Sequence, residues 1–200
     1  MDAYMLKFVV AFTGIVWAGL LGSGFGVLYL NDVTAGTPAI APTTLPAGSR
    51  SADGSALPTL VLFGDPLCAC TRASLDELAR LMSVCRGKVT ARVIFEGHPA
   101  PGQDCTRSTL WQQAAAIPGV GVSLDADGAE ARRFSAFTSG QVFLYDARGR
   151  LLFCGGITGG RGQEGDNPGR SAIVALLNGD TRAPGNTPVF GCALNGEVWR

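Results

Sequence analysis

The segment PTLVLFGDPLCACTRASLDELARLM, residues 58–82, limits the folds open to this chain more than any other feature. Its first part, PTLVLFG, is a short apolar run of buried-strand type. Beyond Asp65-Pro66, Leu75, Leu78, Met82 and Cys85 recur at the spacing of one helical face. Ser74 and Glu77 have the spacing of a capping box, with Thr71 as the other N-cap candidate. Gly87 ends the helix. KVTARVIFEG is a second strand, and a strand–helix–strand unit of this length implies parallel pairing. STLWQQAAAI then reads as a helix stopped by Pro118-Gly119, GVSL as a short strand and GAEARRFSAF as a brief helix. QVFLYDARGRLLFCG is a hairpin turning at Asp146–Gly149, and GRSAIVALLNG is a last helix closed by Gly179. The order is β-α-β-α-(β-α)-β-β-α, parallel first and antiparallel at the end.

Cys68 and Cys70 fall at the first strand-to-helix junction. A thiolate there is stabilised by free backbone N–H groups and by the helix dipole. Arg72 in the first turn either assists or faces solvent. Two cysteines packed as small hydrophobes are the plainer alternative. Turn residues such as Asp65 and Pro66 favour exposure of the sulfurs and a chemical role. A disulfide inside C-x-C closes a small ring, so it is expected to be strained and oxidising.

Phe8–Leu30 is 23 residues without a charge, enough at about 1.5 Å per residue to cross a hydrocarbon core of roughly 30 Å. It is longer than a signal-peptide core, and the A-x-A at Ala39–Ala41 is followed by Pro42, so a retained anchor is expected. Lys7 precedes the run and no Lys or Arg follows until Arg50, which places the rest of the chain outside. Disulfides are permitted in such a compartment. The expected organisation is an anchor over 1–30, a flexible Thr/Pro/Ala/Gly-rich linker over 31–57 and one domain with a tail over 58–200. Sixteen basic residues balance sixteen acidic ones without clustering, so no nucleic-acid footprint is present.

The element order, with cysteines at the first strand-to-helix junction, resembles the thioredoxin-like superfamily. It is most similar to its membrane-anchored periplasmic thiol–disulfide oxidoreductases. CTRASLDEL…GQVFLYDARGRLLFCGGIT also resembles proteins labelled RedB. The resemblance covers Pro58 to Gly179. It implies an α/β fold with a central mixed sheet and helices on both faces, preceded here by a transmembrane helix. It implies no cofactor, and a protein thiol or disulfide as partner. By spacing from Phe63, Cys68 takes the attacking position. The family's resolving cysteine would fall at Thr71, whereas this chain has Cys70 one residue earlier. Pro66, Thr71 and Arg72 support the site from the first loop. The family's cis-proline would fall at Gly140, between Ser139 and Gln141, so that group is absent here.

Three functions are consistent with this pattern. The first is a membrane-tethered exchange catalyst on the periplasmic face of the inner membrane, with Cys68 attacking and Cys70 resolving. The second is a carrier of Cu(I) or another soft metal through Cys68, Cys70 and His98. The third is a redox-inactive binding module. Cys154 and Cys192 either form a disulfide that ties down the tail, or Cys192 reaches the active thiol as a resolving cysteine. Cys85 belongs to the core, and Cys105 is structural or a spare disulfide partner. Gly160-Arg-Gly162-Gln-Glu-Gly165 matches G-x-G-x-x-G but follows a hairpin rather than opening a parallel βαβ unit, which argues against a nucleotide. It reads as a Gly-rich loop in which Arg161, Asp166 and Asn167 are candidates to line the thiol site.

Overall fold

The computed structural model describes residues 3–49, 56–97 and 104–194; His98 lies outside them. The chain divides into two compact units, Met1–Thr34 and Ala35–Arg200.

The first unit is helix α1, Ala3–Val33. Its stretch Tyr4–Val33 has mean hydropathy 1.8 and is long and apolar enough to cross a membrane. Its hydroxyls turn inward: Thr13 Oγ1 donates to the Val9 carbonyl and Ser23 Oγ to that of Gly19, each at 2.8 Å. The helix thus offers few unsatisfied polar groups to an apolar surrounding.

In the second unit the strands are β1 (Thr59–Gly64), β2 (Thr90–Glu96), β3 (Val120–Asp125), β4 (Val142–Tyr145) and β5 (Leu151–Gly155). The helices are α2 (Ala69–Val84), α3 (Thr109–Ala115), α4 (Ala129–Phe134) and α5 (Pro168–Leu177). This is the expected order, and the sheet runs β3-β2-β1-β4-β5. β1, β2 and β3 are parallel, while β4 pairs antiparallel with β1 and β5. It is a thioredoxin-like mixed sheet with helices on both faces.

Alternation along the strands sorts side chains between the two faces. Leu60, Leu62, Val93, Phe95, Val142 and Leu144 point to one core, closed by α2, α3 and α5. Leu75, Leu78, Met82 and Cys85 all lie in it, as the helical spacing predicts. Val61, Phe63, Ile94, Phe143 and Tyr145 point to the other face, under α4. There Phe134 packs against Phe63, Phe143 and Tyr145 with ring centroids 5.2–6.1 Å apart.

Two sequence expectations are corrected. Residues 35–49, read as part of a flexible linker, lie along this second face. Leu45 N–H donates to Gly149 O and Leu151 N–H to Thr43 O, and Tyr145 Oη–H donates to Pro42 O at 3.2 Å. One short helix leaves aromatic surface uncovered, and the small side chains Ala39 and Ala41, with Leu45, cover it. Composition signals flexibility; the apolar sheet face supplies a reason to dock.

The second correction concerns the start of α2. Cys68 is its N-cap, nearly two turns before Ser74, where the capping-box pattern places it. Ser74 is inside the helix and donates to Cys70 O. Glu77 is fully buried and accepts from Arg80 Nη1 (2.9 Å), Gly165 N (2.8 Å), Arg170 Nε (3.2 Å) and Asn167 Nδ2 (3.2 Å). One carboxylate thereby joins α2, α5 and the Gly-rich loop.

Glu77→Ala strands Arg170 and the Gly165 amide without their acceptor. The domain from Ala35 is expected to lose about 3 kcal/mol, the scale for breaking a buried ion pair, as measured by urea unfolding.

Candidate functional site

The junction between β1 and α2 is held by a closed set of short hydrogen bonds. Asp65 Oδ1 accepts from Leu67 N at 2.7 Å, and Asp65 O accepts from Cys68 N at 3.2 Å. Thr71 is completely buried, and its Oγ1 donates to Asp65 O at 2.8 Å. Ser139 Oγ accepts from Asp65 N at 3.1 Å and lies 2.7 Å from Thr71 Oγ1. With the Thr71 proton committed to Asp65 O, the Ser139 hydroxyl donates to Thr71. Each hydroxyl then has one proton and one role. Pro66 is buried in this turn and Arg72 faces solvent. Thr71, at the position where the resemblance places a resolving cysteine, is thus a brace for the loop.

Ser139-Gly140-Gln141 extends the sheet beside Phe63. Gly140 N–H donates to Phe63 O, and Phe63 N–H donates to Gln141 O. Gly140 has φ +89°, and a Cβ there would come within 2.8 Å of Ser74 Oγ, so glycine is required on both counts. No cis peptide occurs among the described residues. Gln141 is buried; its Nε2 donates to Cys154 Sγ at 3.4 Å.

Cys68 and Cys70 are only 6% and 7% exposed, against the expectation drawn from the turn residues. The tail is the reason. Its backbone pairs with the Thr138–Ser139 edge and brings Cys192 Sγ to 2.8 Å from Cys68 Sγ. The sulfurs of Cys68, Cys70 and Cys192 all lie within 4.8 Å of one another. Cys192 therefore faces Cys68 and not Cys154, which contacts Gln141 instead; all six cysteines are free thiols. Cys85 is buried in the core and Cys105 opens a short 3₁₀ turn, Cys105–Arg107.

The electrostatics separate the three thiols. The Cys70 S–H, donating to Cys68, is the largest influence holding the Cys68 thiol down, at about 5. Burial opposes this, while the Cys192 thiol and the backbone N–H groups of Cys70 and Cys192 reinforce it. Cys70 is pushed far above the ordinary thiol range, first by the same hydrogen bond, then by burial and the charge on Cys68. Burial, and then the hydrogen bond to Cys68, push Cys192 up to about 11. Cys154 also rises to about 11, through burial. Of the three clustered sulfurs, Cys68 is the one held as a thiolate near neutrality.

Arg161 is the cation of the site. Its charge favours the thiolate forms of Cys70 and Cys192, and its Nη1 donates to Gly191 O at 2.6 Å. Asp166 and Asn167, grouped with it from the sequence, belong instead to the Arg170 and Glu77 network. Gly165 N–H is likewise committed to Glu77, so the G-x-G-x-x-G stretch is a structural loop.

No protein-family model matches the chain, and no curated protein matches it. Solved structures do match. A hypothetical protein from Sinorhizobium meliloti 1021 aligns at TM-score 0.61 and 22% identity, over 84% of this chain and 97% of its own. An uncharacterized conserved protein from Geobacillus kaustophilus aligns at TM-score 0.60 and 16% identity, over 84% and 95%. At these identities the likeness is one of fold. A secreted Mycobacterium tuberculosis disulfide oxidoreductase aligns over 64% of this chain and 84% of its own, at 15% identity and a TM-score of 0.43, too distant to add to it.

The low Cys68 value fixes a pH dependence. Above about pH 5 Cys68 is the thiolate and alkylates rapidly; below it, protonation removes the nucleophile. The rate of iodoacetamide labelling at Cys68 is expected to rise through a midpoint near 5 and level off by neutrality. Cys70→Ala removes the main donor, and its midpoint is expected to move toward the ordinary 9.0.

Proposed function

We propose that this protein is a membrane-tethered thiol–disulfide oxidoreductase acting on a protein partner, with Cys68 as the attacking thiol. The observation that carries this reading is the cradle around Cys68 Sγ. Two thiols and two backbone N–H groups donate to one sulfur at the start of α2 and keep it ionised. A thiolate of that kind attacks disulfides at neutral pH, and it also leaves readily, so exchange runs in either direction. A second thiol must then release the mixed disulfide. Cys70 is the one expected from the C-x-C spacing, and Cys192 shares the cluster. The helix α1 anchors the domain, and the domain faces the periplasm, where disulfides persist.

A second reading is supported by the same three sulfurs. Three cysteine sulfurs within 4.8 Å, which would lose their protons on binding, suit Cu(I) or a related soft ion, with Cys192 completing the set. His98, the third ligand suggested by the sequence, lies outside the described residues.

The two readings differ in what each substitution does. For an exchange catalyst, Cys68→Ser abolishes reduction of a protein disulfide and all mixed-disulfide formation, measured with a disulfide-bearing protein and reduced glutathione. For a metal carrier, Cys68→Ser, Cys70→Ser and Cys192→Ser each reduce bound Cu(I) alike, and no mixed disulfide forms. That second pattern would replace the oxidoreductase reading.

A further inference from the structure

The tail is docked by more than its sulfur. Ser139 N–H donates to Cys192 O at 2.8 Å, and Leu194 N–H donates to Phe137 O at 2.9 Å. These bonds frame an antiparallel bridge between Thr138 and Ala193. Arg161 Nη1 holds Gly191 O on the near side. On the far side Leu194 is 3% exposed and packs into the aromatic core. Gly191 passes so close to the Ser139 carbonyl that a Cβ there would lie 1.8 Å from its oxygen. The segment is therefore clamped at both ends with Cys192 between them. Its sulfur makes a hydrogen-bond contact with Cys68 Sγ at 2.8 Å, from 124 positions away in the chain.

We propose that Cys192 is the resolving thiol, carried by the tail as an arm, and that Cys70 is a positioning residue beside Cys68. This rests on the exchange reading given above. A Cys68–Cys70 disulfide closes a small, strained ring across the first turn of α2. Closure by Cys192 has no such constraint, because the two sulfurs come from separate segments that already meet.

The steps balance. Cys68 thiolate attacks one sulfur of the partner disulfide; that S–S bond breaks, and the departing thiolate takes a proton from water. Cys192 gives its proton to solvent and attacks Cys68 Sγ. The mixed disulfide breaks, and the second partner sulfur leaves as a thiol. Two electrons and two protons reach the partner, and Cys68 and Cys192 end as a disulfide.

The test uses the full reduced chain in detergent, oxidised glutathione as the probe, and intact mass with peptide mapping as the readout. Wild type is expected to finish with a Cys68–Cys192 disulfide and only a transient glutathione adduct. Cys192→Ser is expected to hold glutathione on Cys68 roughly tenfold longer or more. Cys192 is exposed, so this change does not threaten the fold. Gly191→Ala keeps the thiol but displaces the arm, and is expected to prolong the adduct too. Cys70→Ser is expected to slow the first attack yet still close on Cys192. A wild-type disulfide mapped to Cys68–Cys70, or prompt closure in Cys192→Ser, overturns the arm while leaving exchange intact. The absence of adduct and disulfide in every variant overturns both.

Discussion

Thr71 and Ser139 share a hydrogen bond at 2.7 Å in a fully buried position, and both also bond the backbone of Asp65. That small network ties the end of β1, the start of α2 and the approach to β4 into one rigid corner. Beside the backbone pairing of Phe63 with Gly140 and Gln141, it fixes the edge at Thr138–Ser139 relative to Cys68. With it, a segment that pairs with the edge delivers its side chain to the sulfur. The hydroxyls are satisfied by each other and by backbone, so the corner is neither solvated nor strained.

The chemistry of the cluster follows from unequal protonation of three similar groups. Burial alone would keep all three sulfurs neutral. Convergence of donors on Cys68 changes this for one of them, and each donor that stabilises its charge is itself made harder to ionise. One thiolate beside two thiols is a reactive arrangement for exchange, because the nucleophile and the thiols that can displace it are distinct. Three equal thiolates would repel one another unless a cation held them. On the proposed reading this asymmetry favours exchange, and a soft metal ion is the agent that removes it.

The second face of the sheet shows how the accessory segments were recruited. The short helix α4, Ala129–Phe134, covers little of the aromatic surface formed by Phe63, Phe143 and Tyr145. The strap at 35–49 and the tail residue Leu194 cover more of it. Docking of the tail is therefore coupled to burial of apolar surface as well as to its backbone bonds, and Cys192 is placed as a consequence.

The local sequence by itself determined the elements. The apolar run at Leu60–Phe63, the helical spacing of Leu75, Leu78 and Met82, and the turn at Asp146–Gly149 each act over a few residues, and each is found in place. The position of Cys68 at the head of α2 is local in the same sense. What only the tertiary structure decided depends on contacts between distant segments. Composition made 35–49 look like a free linker, because its affinity for the sheet exists only when the opposing aromatic face exists. Ser74 and Glu77 have the spacing of a cap, yet Glu77 is a buried anchor for Arg170 and Gly165, since the helix starts well before Ser74, at Cys68. The burial of Cys68 and Cys70, and the choice of Cys68 over Cys154 as the nearer partner of Cys192, have the same origin. No short-range pattern records which edge a tail will pair with; that is settled when Ser139 and Cys192 meet across the folded domain.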